Sequence, residues 1–269
     1  MVLIFDLDGV VYLGDTPIPG AVESLNALAA AGHALFYITN NSTRSRQNYA
    51  DKLSSMGIPT SAERVMTSAY ATALYLQSIG AAGKTVYVVG ESGLRTEMRL
   101  VGLRVIAEDD PSRADYVVAG LDRELTFAKL RRAHEEITRK GATFIATNRD
   151  ATFPMETGEI PGGGAIVAPI EVSAGIRGFT IGKPEPHTWR RILDLAGARP
   201  DQALMIGDRP ETDIMGARKI GIHTALVLTG VARREDLPGL PEEQRPDHVL
   251  QDLTELPELA ARLGADGRA

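Results

Sequence analysis

Leu3-Ile4-Phe5-Asp6-Leu7-Asp8-Gly9-Val10 decides how the rest of the chain reads. Its apolar opening is that of a strand buried on both faces of a parallel sheet. The run ends in two aspartates one residue apart. Carboxylates in such a place are costly unless they bind a cation or take part in chemistry. In open α/β sheets the carboxyl ends of the strands are where ligands bind. Gly9 permits a tight exit turn and a close backbone approach to a ligand. An Asp-x-Asp-Gly quartet also opens calcium loops, but those continue with further oxygen ligands and end in Glu. Here Val10, Val11 and Tyr12 follow, which excludes that reading.

Outward from this stretch, apolar strands alternate with helical patterns. Strands are expected at 34–38, 85–89, 116–119, 143–146, 176–181, 203–206 and 224–228, and helices at 22–30, 46–56, 68–79 and 127–139. Gly57 and Pro59 end the second helix and Gly80 the third. Repeated strand-helix-strand units predict parallel sheets. The strands outnumber what one compact sheet of this length needs, so two α/β units are expected, one inserted into the other. Gly80-Ala81-Ala82-Gly83 marks the entry and the region 175–178 the exit. The domains are then a core of 1–80 and 178–269 and an insert of 81–177. The tail after Glu235, rich in proline and charge, predicts short helices with a frayed end over 266–269.

Composition narrows the chemistry. A chain of 269 residues, 43% apolar, is an ordinary globular protein of one or two domains. A net charge of −6 argues against binding to nucleic acid or anionic membranes. Small anionic substrates stay open, because a local field or a bound cation overrides the net sign. There is no cysteine, which excludes thiol catalysis, disulfides and thiolate metal sites. Any metal must be held by oxygen ligands or by the five histidines. No run is long enough to cross a bilayer, and with the first strand beginning almost at Met1 no signal peptide is expected. A soluble cytoplasmic protein is expected.

Three more stretches close strands in the same way. Thr39-Asn40-Asn41-Ser42 follows Ile38. Its hydroxyls and amides suit a phosphoryl oxygen at a helix start; alternatively Asn41 or Ser42 simply caps the helix. Gly182-Lys183-Pro184 follows Ile181. Its lysine can neutralise a carboxylate or a phosphate, or it is a solvated surface lysine. Gly207-Asp208-Arg209 follows Ile206, with Asp213 four residues on. These acids suit a hard cation, and either could also cap the helix expected at 214–219. All four signals lie at carboxyl ends of apolar strands, which parallel pairing gathers on one sheet edge. Such an edge holds the parts that phosphoryl transfer needs.

With these four motifs the chain resembles the haloacid dehalogenase superfamily of phosphohydrolases. Within it the chain looks like the nitrophenylphosphatase and nucleotidase branch, which carries a large α/β cap of the C2 type between its second and third motifs. The resemblance extends to Ala146-Thr147-Asn148-Arg149-Asp150 and Pro161-Gly162-Gly163-Gly164. It implies an α/β protein with a Rossmann-like parallel-sheet core and an inserted α/β cap domain. It also implies a Mg2+-dependent phosphomonoesterase that hydrolyses small phosphorylated metabolites through an aspartyl phosphate. On that basis Asp6 is the nucleophile and Asp8 the acid-base group. Lys183 offsets charge, and Thr39, Asn40 and Asn41 hold phosphoryl oxygens. Asp6, the Asp8 carbonyl and Asp208 bind Mg2+, with Asp213 behind them orienting a metal-bound water or Lys183.

The cap loop 148–156 is expected to meet the leaving group through Asn148 and Phe153, Phe153 reading equally well as an anchor in the cap core. Gly162-Gly163-Gly164 reads as a turn and helix start, since it lacks the P-loop lysine and hydroxyl. His187 is expected on the surface or at a helix start, and Arg131, Arg132, Arg233 and Arg234 on solvated faces. The second acid Asp8 argues against dehalogenation. The branch also implies homodimerisation through the cap. Two rivals share the fold: a phosphotransferase or mutase that keeps water from the same intermediate, and a silent metabolite-binding regulator. The intact Asp6–Asp8 pair argues against the latter.

Overall fold

The strand Val2–Asp6 runs through the interior of a six-stranded sheet in a computed structural model that describes residues 1–155 and 158–266. Glu156, at the end of the expected loop 148–156, and the tail residues 267–269 lie outside the described residues. The strand order is His248–Leu250, His223–Val227, Ala203–Gly207, Val2–Asp6, Ala34–Thr39, Val65–Thr67. The central pairings are parallel: Phe5 lies opposite Ile206 on one side and Tyr37 on the other. Leu3, Ile4 and Phe5 have no exposed surface. Burying one such side chain fully contributes about 1.5–3 kcal/mol. Leu3 and Phe5 pack with Leu25, Leu53, Leu204 and Leu256 in one apolar core.

A second sheet orders Phe179–Thr180, Thr143–Ala146, Tyr116–Ala119, Thr85–Val89 and Arg104–Ile106, all parallel. Its core joins Val89, Val117 and Phe144 to Ile137 of the helix Phe127–Thr138 and Ile170 of the helix Gly163–Ala174. Thr126 caps the first of these helices, its hydroxyl accepting from the Lys129 N–H at 3.1 Å. The α/β class with parallel sheets and flanking helices is as the sequence predicts.

Packing divides the chain into two compact units. One comprises Met1–Thr39, Tyr49–Met66 and Thr188–Ala269; the other comprises Asn40–Asn48 and Thr67–His187. The second unit contains a finding that alternation cannot show. The Gly93 N–H donates to the Thr43 carbonyl at 3.0 Å. A Cβ on Gly93 would run into the Arg44 backbone, and one on Gly120 into the Ser42 and Thr147 hydroxyls. Arg46 adds its N–H to the Glu97 carboxylate at 2.8 Å and stacks 3.9 Å from the centre of the Tyr70 ring. Glu97 is fully buried, and burial pushes its carboxyl upward against the opposing pull of Arg46. Segment Asn40–Asn48 is thereby fixed against the carboxyl ends of the second sheet.

Two expectations give way to the structure. The strand expected at 176–181 is only Phe179–Thr180, and it pairs with Ile145 and Ala146 of the second sheet. The cause is a set of side-chain bonds, those of Arg149 reaching from far off in sequence. Arg149 donates to the Thr180 hydroxyl at 2.7 Å and to the Gly178 carbonyl at 2.9 Å, while Glu171 accepts the Gly178 N–H at 2.7 Å. The third motif therefore does not end a strand of the six-stranded sheet. The loop expected at 148–156 is also partly strand: Thr152–Met155 forms a hairpin with Gly158–Pro161, Phe153 opposite Ile160. The glycine run opens the helix Gly163–Ala174, and His187 opens the helix His187–Ala196, both as read from the sequence. Among the described residues no helix is long and apolar enough to cross a membrane.

Candidate active site

In the first unit, the strand pairing sets the positions of the acids. Asp6 ends Val2–Asp6 opposite Ile38, one residue before Thr39 ends its own strand. Asp208 directly follows Ala203–Gly207, the neighbour on the other side. The Leu7 carbonyl then accepts from the N–H groups of Val10, Val11 and Tyr12 at 2.9–3.3 Å, and the Gly9 N–H donates to the Tyr12 carbonyl at 2.9 Å. This tight turn leaves Asp8 half-buried just beyond the strand end. Gly9 has φ +83°, a left-handed conformation that suits glycine. A Cβ there would also sit 2.6 Å from Asp208 Oδ2.

Asp208 and Asp213 are held by backbone donors. Asp208 Oδ2 accepts from the Val231 N–H at 2.8 Å. Asp213 Oδ2 accepts from the N–H groups of Asp208 and Arg209 at 3.2 and 3.1 Å. Thr229 donates its hydroxyl to the Gly9 carbonyl at 2.6 Å, so the loop 229–231 supports both the first and the fourth motif. Sequence reading missed this loop; its only signal is Thr229-Gly230 directly after an apolar strand.

Asp6, Asp208 and Asp213 are all buried, and one carboxylate oxygen of each lies within 4.8 Å of the others. Three buried acids this close repel one another unless a cation or a proton intervenes. An all-oxygen donor set of this kind fits a hard divalent cation. Thr39 is buried at the end of the neighbouring strand.

The second unit holds the other sequence-derived residues. Asn40 donates Nδ2 to the Lys183 carbonyl and to Asp150 Oδ1, both at 3.0 Å, and its Oδ1 accepts the Lys183 N–H at 2.8 Å. Asn148 donates Nδ2 to the Asn40 carbonyl at 2.7 Å and to the Thr147 hydroxyl at 3.3 Å. Its Oδ1 accepts the Asp150 N–H at 3.1 Å. Asn40, Asn148 and Lys183 are all buried, which removes the solvated reading of the lysine. Asn41 instead accepts the Thr43 N–H at 2.9 Å, a local turn. Phe153 is half-buried against the core with Leu125, Leu130 and Ala174. Asp150 belongs to this network although the sequence singled it out only within a motif.

Comparison with known proteins bears on both groups. The haloacid dehalogenase-like hydrolase family model matches residues 3–104, and a HAD-hydrolase-like model matches residues 180–256. An acid sugar phosphatase of Staphylococcus aureus is 40% identical over 252 residues, 94% of this chain and 95% of its own. The structure of a glycerol phosphate phosphatase from Mycobacterium tuberculosis, in complex with magnesium, matches with a TM-score of 0.87 at 36% identity. That match covers 95% of this chain and 75% of the other. A p-nitrophenyl phosphatase from Archaeoglobus fulgidus matches with a TM-score of 0.88 at 34% identity, over 96% and 98% of the two chains.

Proposed function

The chain belongs to the haloacid dehalogenase-like hydrolases, and on that premise we propose that it is a Mg2+-dependent phosphomonoesterase of small phosphorylated metabolites. The observation that carries this reading is the buried triad Asp6, Asp208 and Asp213, with Asp8 two residues beyond Asp6. Sugar phosphates and glycerol phosphate are the substrate classes to try first, because the relatives are named for them. The segment 81–177 is proposed as the cap and 1–80 with 178–269 as the core.

Asp6 attacks phosphorus and forms an aspartyl phosphate, which splits one difficult displacement into two easier ones. Asp8 gives a proton to the leaving alkoxide and then takes one from the water that opens the intermediate. Such acid-base work contributes roughly 10²–10⁴-fold. Asp6, the Asp8 carbonyl and Asp208 would hold Mg2+, with Asp213 fixing the Asp208 and Arg209 main chain behind them. The ion, when bound, supplies positive charge that lets an anionic nucleophile approach an anionic phosphate. Thr39 and the Asn40 main-chain N–H orient phosphoryl oxygens, and Lys183 balances the charge that grows on them.

The test is phosphate release over a panel of sugar phosphates, glycerol phosphate, a nucleoside monophosphate and nitrophenyl phosphate, with Mg2+ and with excess chelator. Acid-quenched enzyme should carry one acid-stable, hydroxylamine-labile phosphate on Asp6. No release from any monoester would defeat the proposal. Release without a trapped phosphate would remove the covalent step alone.

A further inference from the structure

We propose that Asn40 and Asn148 act as positioning residues for Lys183, and that neither side-chain amide binds the phosphoryl group. The inference rests on the reading that Lys183 serves phosphoryl transfer. Its warrant is an inventory of donors. A primary amide has two N–H donors. Asn40 gives one to the Lys183 carbonyl and one to Asp150. Asn148 gives one to the Asn40 carbonyl and one to the Thr147 hydroxyl. No amide donor is left on either side chain for a phosphoryl oxygen. The acceptors are engaged as well, by the Lys183 N–H and the Asp150 N–H.

What the amides do hold is informative. Asn40 brackets Lys183 by both its main-chain N–H and its carbonyl, as a strand partner would. Lys183 lies just beyond the short strand Phe179–Thr180, where the ladder to Ile145 and Ala146 has ended. Gly182, the residue before it, is tied by its N–H to the Thr147 carbonyl at 2.8 Å. A Cβ on Gly182 would sit 2.6 Å from Asn40 Oδ1, so only glycine lets the amide so close. Asn148 then fixes the Asn40 main chain itself. The chain of contacts is thus Asn148 to Asn40 to Lys183, through buried atoms where an unmade hydrogen bond costs most. Its product is a lysine whose Cα is set by main-chain bonds rather than by a long flexible side chain alone.

The deciding experiment is a pair of double-mutant cycles. Asn40→Ala, Asn148→Ala and Lys183→Ala are compared with Asn40→Ala/Lys183→Ala and Asn148→Ala/Lys183→Ala for kcat and KM on nitrophenyl phosphate, with melting temperatures alongside. Misplacing a reacting group by about 1 Å can cost roughly 10²-fold. Each asparagine variant should therefore lose on the order of 10²-fold in kcat with KM little changed. Each double variant should be no slower than Lys183→Ala, because the asparagines act only through the lysine. Asn40→Asp keeps the acceptor for the Lys183 N–H but turns a carboxylate oxygen toward the Lys183 carbonyl and Asp150, so it should lose at least as much as Asn40→Ala. If Asn40→Ala does not fold, the Asn148 cycle decides alone. Multiplicative losses in the double variants beside a damaging Lys183→Ala would overturn this inference and leave the proposed function intact. Undiminished turnover by Lys183→Ala would overturn the role of Lys183, and this inference with it.

Discussion

The carboxyl edges of the two sheets solve opposite problems. At the edge of the six-stranded sheet three acids are buried together, Asp6, Asp208 and Asp213, in an arrangement that like-charge repulsion opposes. Beside the five-stranded sheet the buried groups are mostly amides, hydroxyls and main chain, and Asn40 and Asn148 have every side-chain donor used. The same topology thus yields one edge where like charges gather and another where the asparagine amides are spent on their own chain. Strand ends in an open α/β sheet are where ligands can bind; what decides is whether the chain itself fills the place. Segment Asn40–Asn48 fills it in the second unit.

The sharpest way to break this contrast is to neutralise the acidic edge. Asp6→Asn should fold and lose turnover by on the order of 10⁴-fold or more, as removal of a nucleophile does. A well-folded Asp6→Asn enzyme working near the wild-type rate would show that the acids serve something else. Chelation comes next: excess chelator should cost roughly 10³-fold, the equivalent of several kcal/mol of charge stabilisation, and added Mg2+ should restore it. Ca2+ should bind and support poor turnover, because its looser coordination places the nucleophile less well. Full activity in chelator would take the cation out of the comparison.

Asp8→Asn sharpens it further. A proton donor matters most for a poor leaving group, so glycerol phosphate turnover should fall by roughly 10²-fold or more and nitrophenyl phosphate turnover by clearly less. Equal losses on the two substrates would remove the proton-donor role from Asp8 and leave it with the turn.

The acidic edge was legible in the sequence because Asp6, Asp8 and Asp208 sit at or just after the ends of apolar strands, where a carboxylate is costly unless it has a task; Asp213, farther on, reads equally well as a helix cap. Val2–Asp6 and Ala203–Gly207 are long, fully buried and free of competing signals. The second unit was legible in its long elements, Thr85–Val89, Tyr116–Ala119 and Phe127–Thr138, and much less in its edges. Arg104–Ile106 and Phe179–Thr180 are too short for a period to register. The helix Gly163–Ala174 contains Pro169 and begins in glycines, which local propensity counts against it. Lys183 was placed after a strand of the wrong sheet. Its strand is held by Arg149 and Glu171, and long-range side-chain bonds of that kind leave no trace in local pattern.

A smaller effect is expected in the second unit. The half-buried ring of Phe153 packs on the apolar core of the second unit, so Phe153→Ala should cost about 1–2 kcal/mol, less than a fully buried aromatic. Melting temperature should fall and the ranking of substrates by kcat/KM should hold. A changed ranking of sugar phosphates against nitrophenyl phosphate would assign part of the ring to the leaving group as well.

The smallest effect tests how the Phe179–Thr180 strand is held. Glu171 accepts two bonds from Arg149, at 2.9 and 2.6 Å, and one from the Gly178 N–H. The hydrogen bonds from Arg149 are the main reason its carboxyl lies below the usual carboxylate range, and burial opposes them only in part. A carboxyl depressed in the folded state adds stability above its unfolded value and loses it as pH falls through the folded one. Glu171→Gln should therefore lower the melting temperature by a few degrees at most near neutral pH, since the pair is partly exposed to solvent. The gap between wild type and variant should stay level down to about pH 5 and close below about pH 4.5, where the free carboxyl begins to protonate. Undiminished separation of the two curves in acid would mean that shape, not charge, ties Glu171 to Arg149. No separation at neutral pH would mean that the strand is held by its ladder to Ile145 and Ala146 alone.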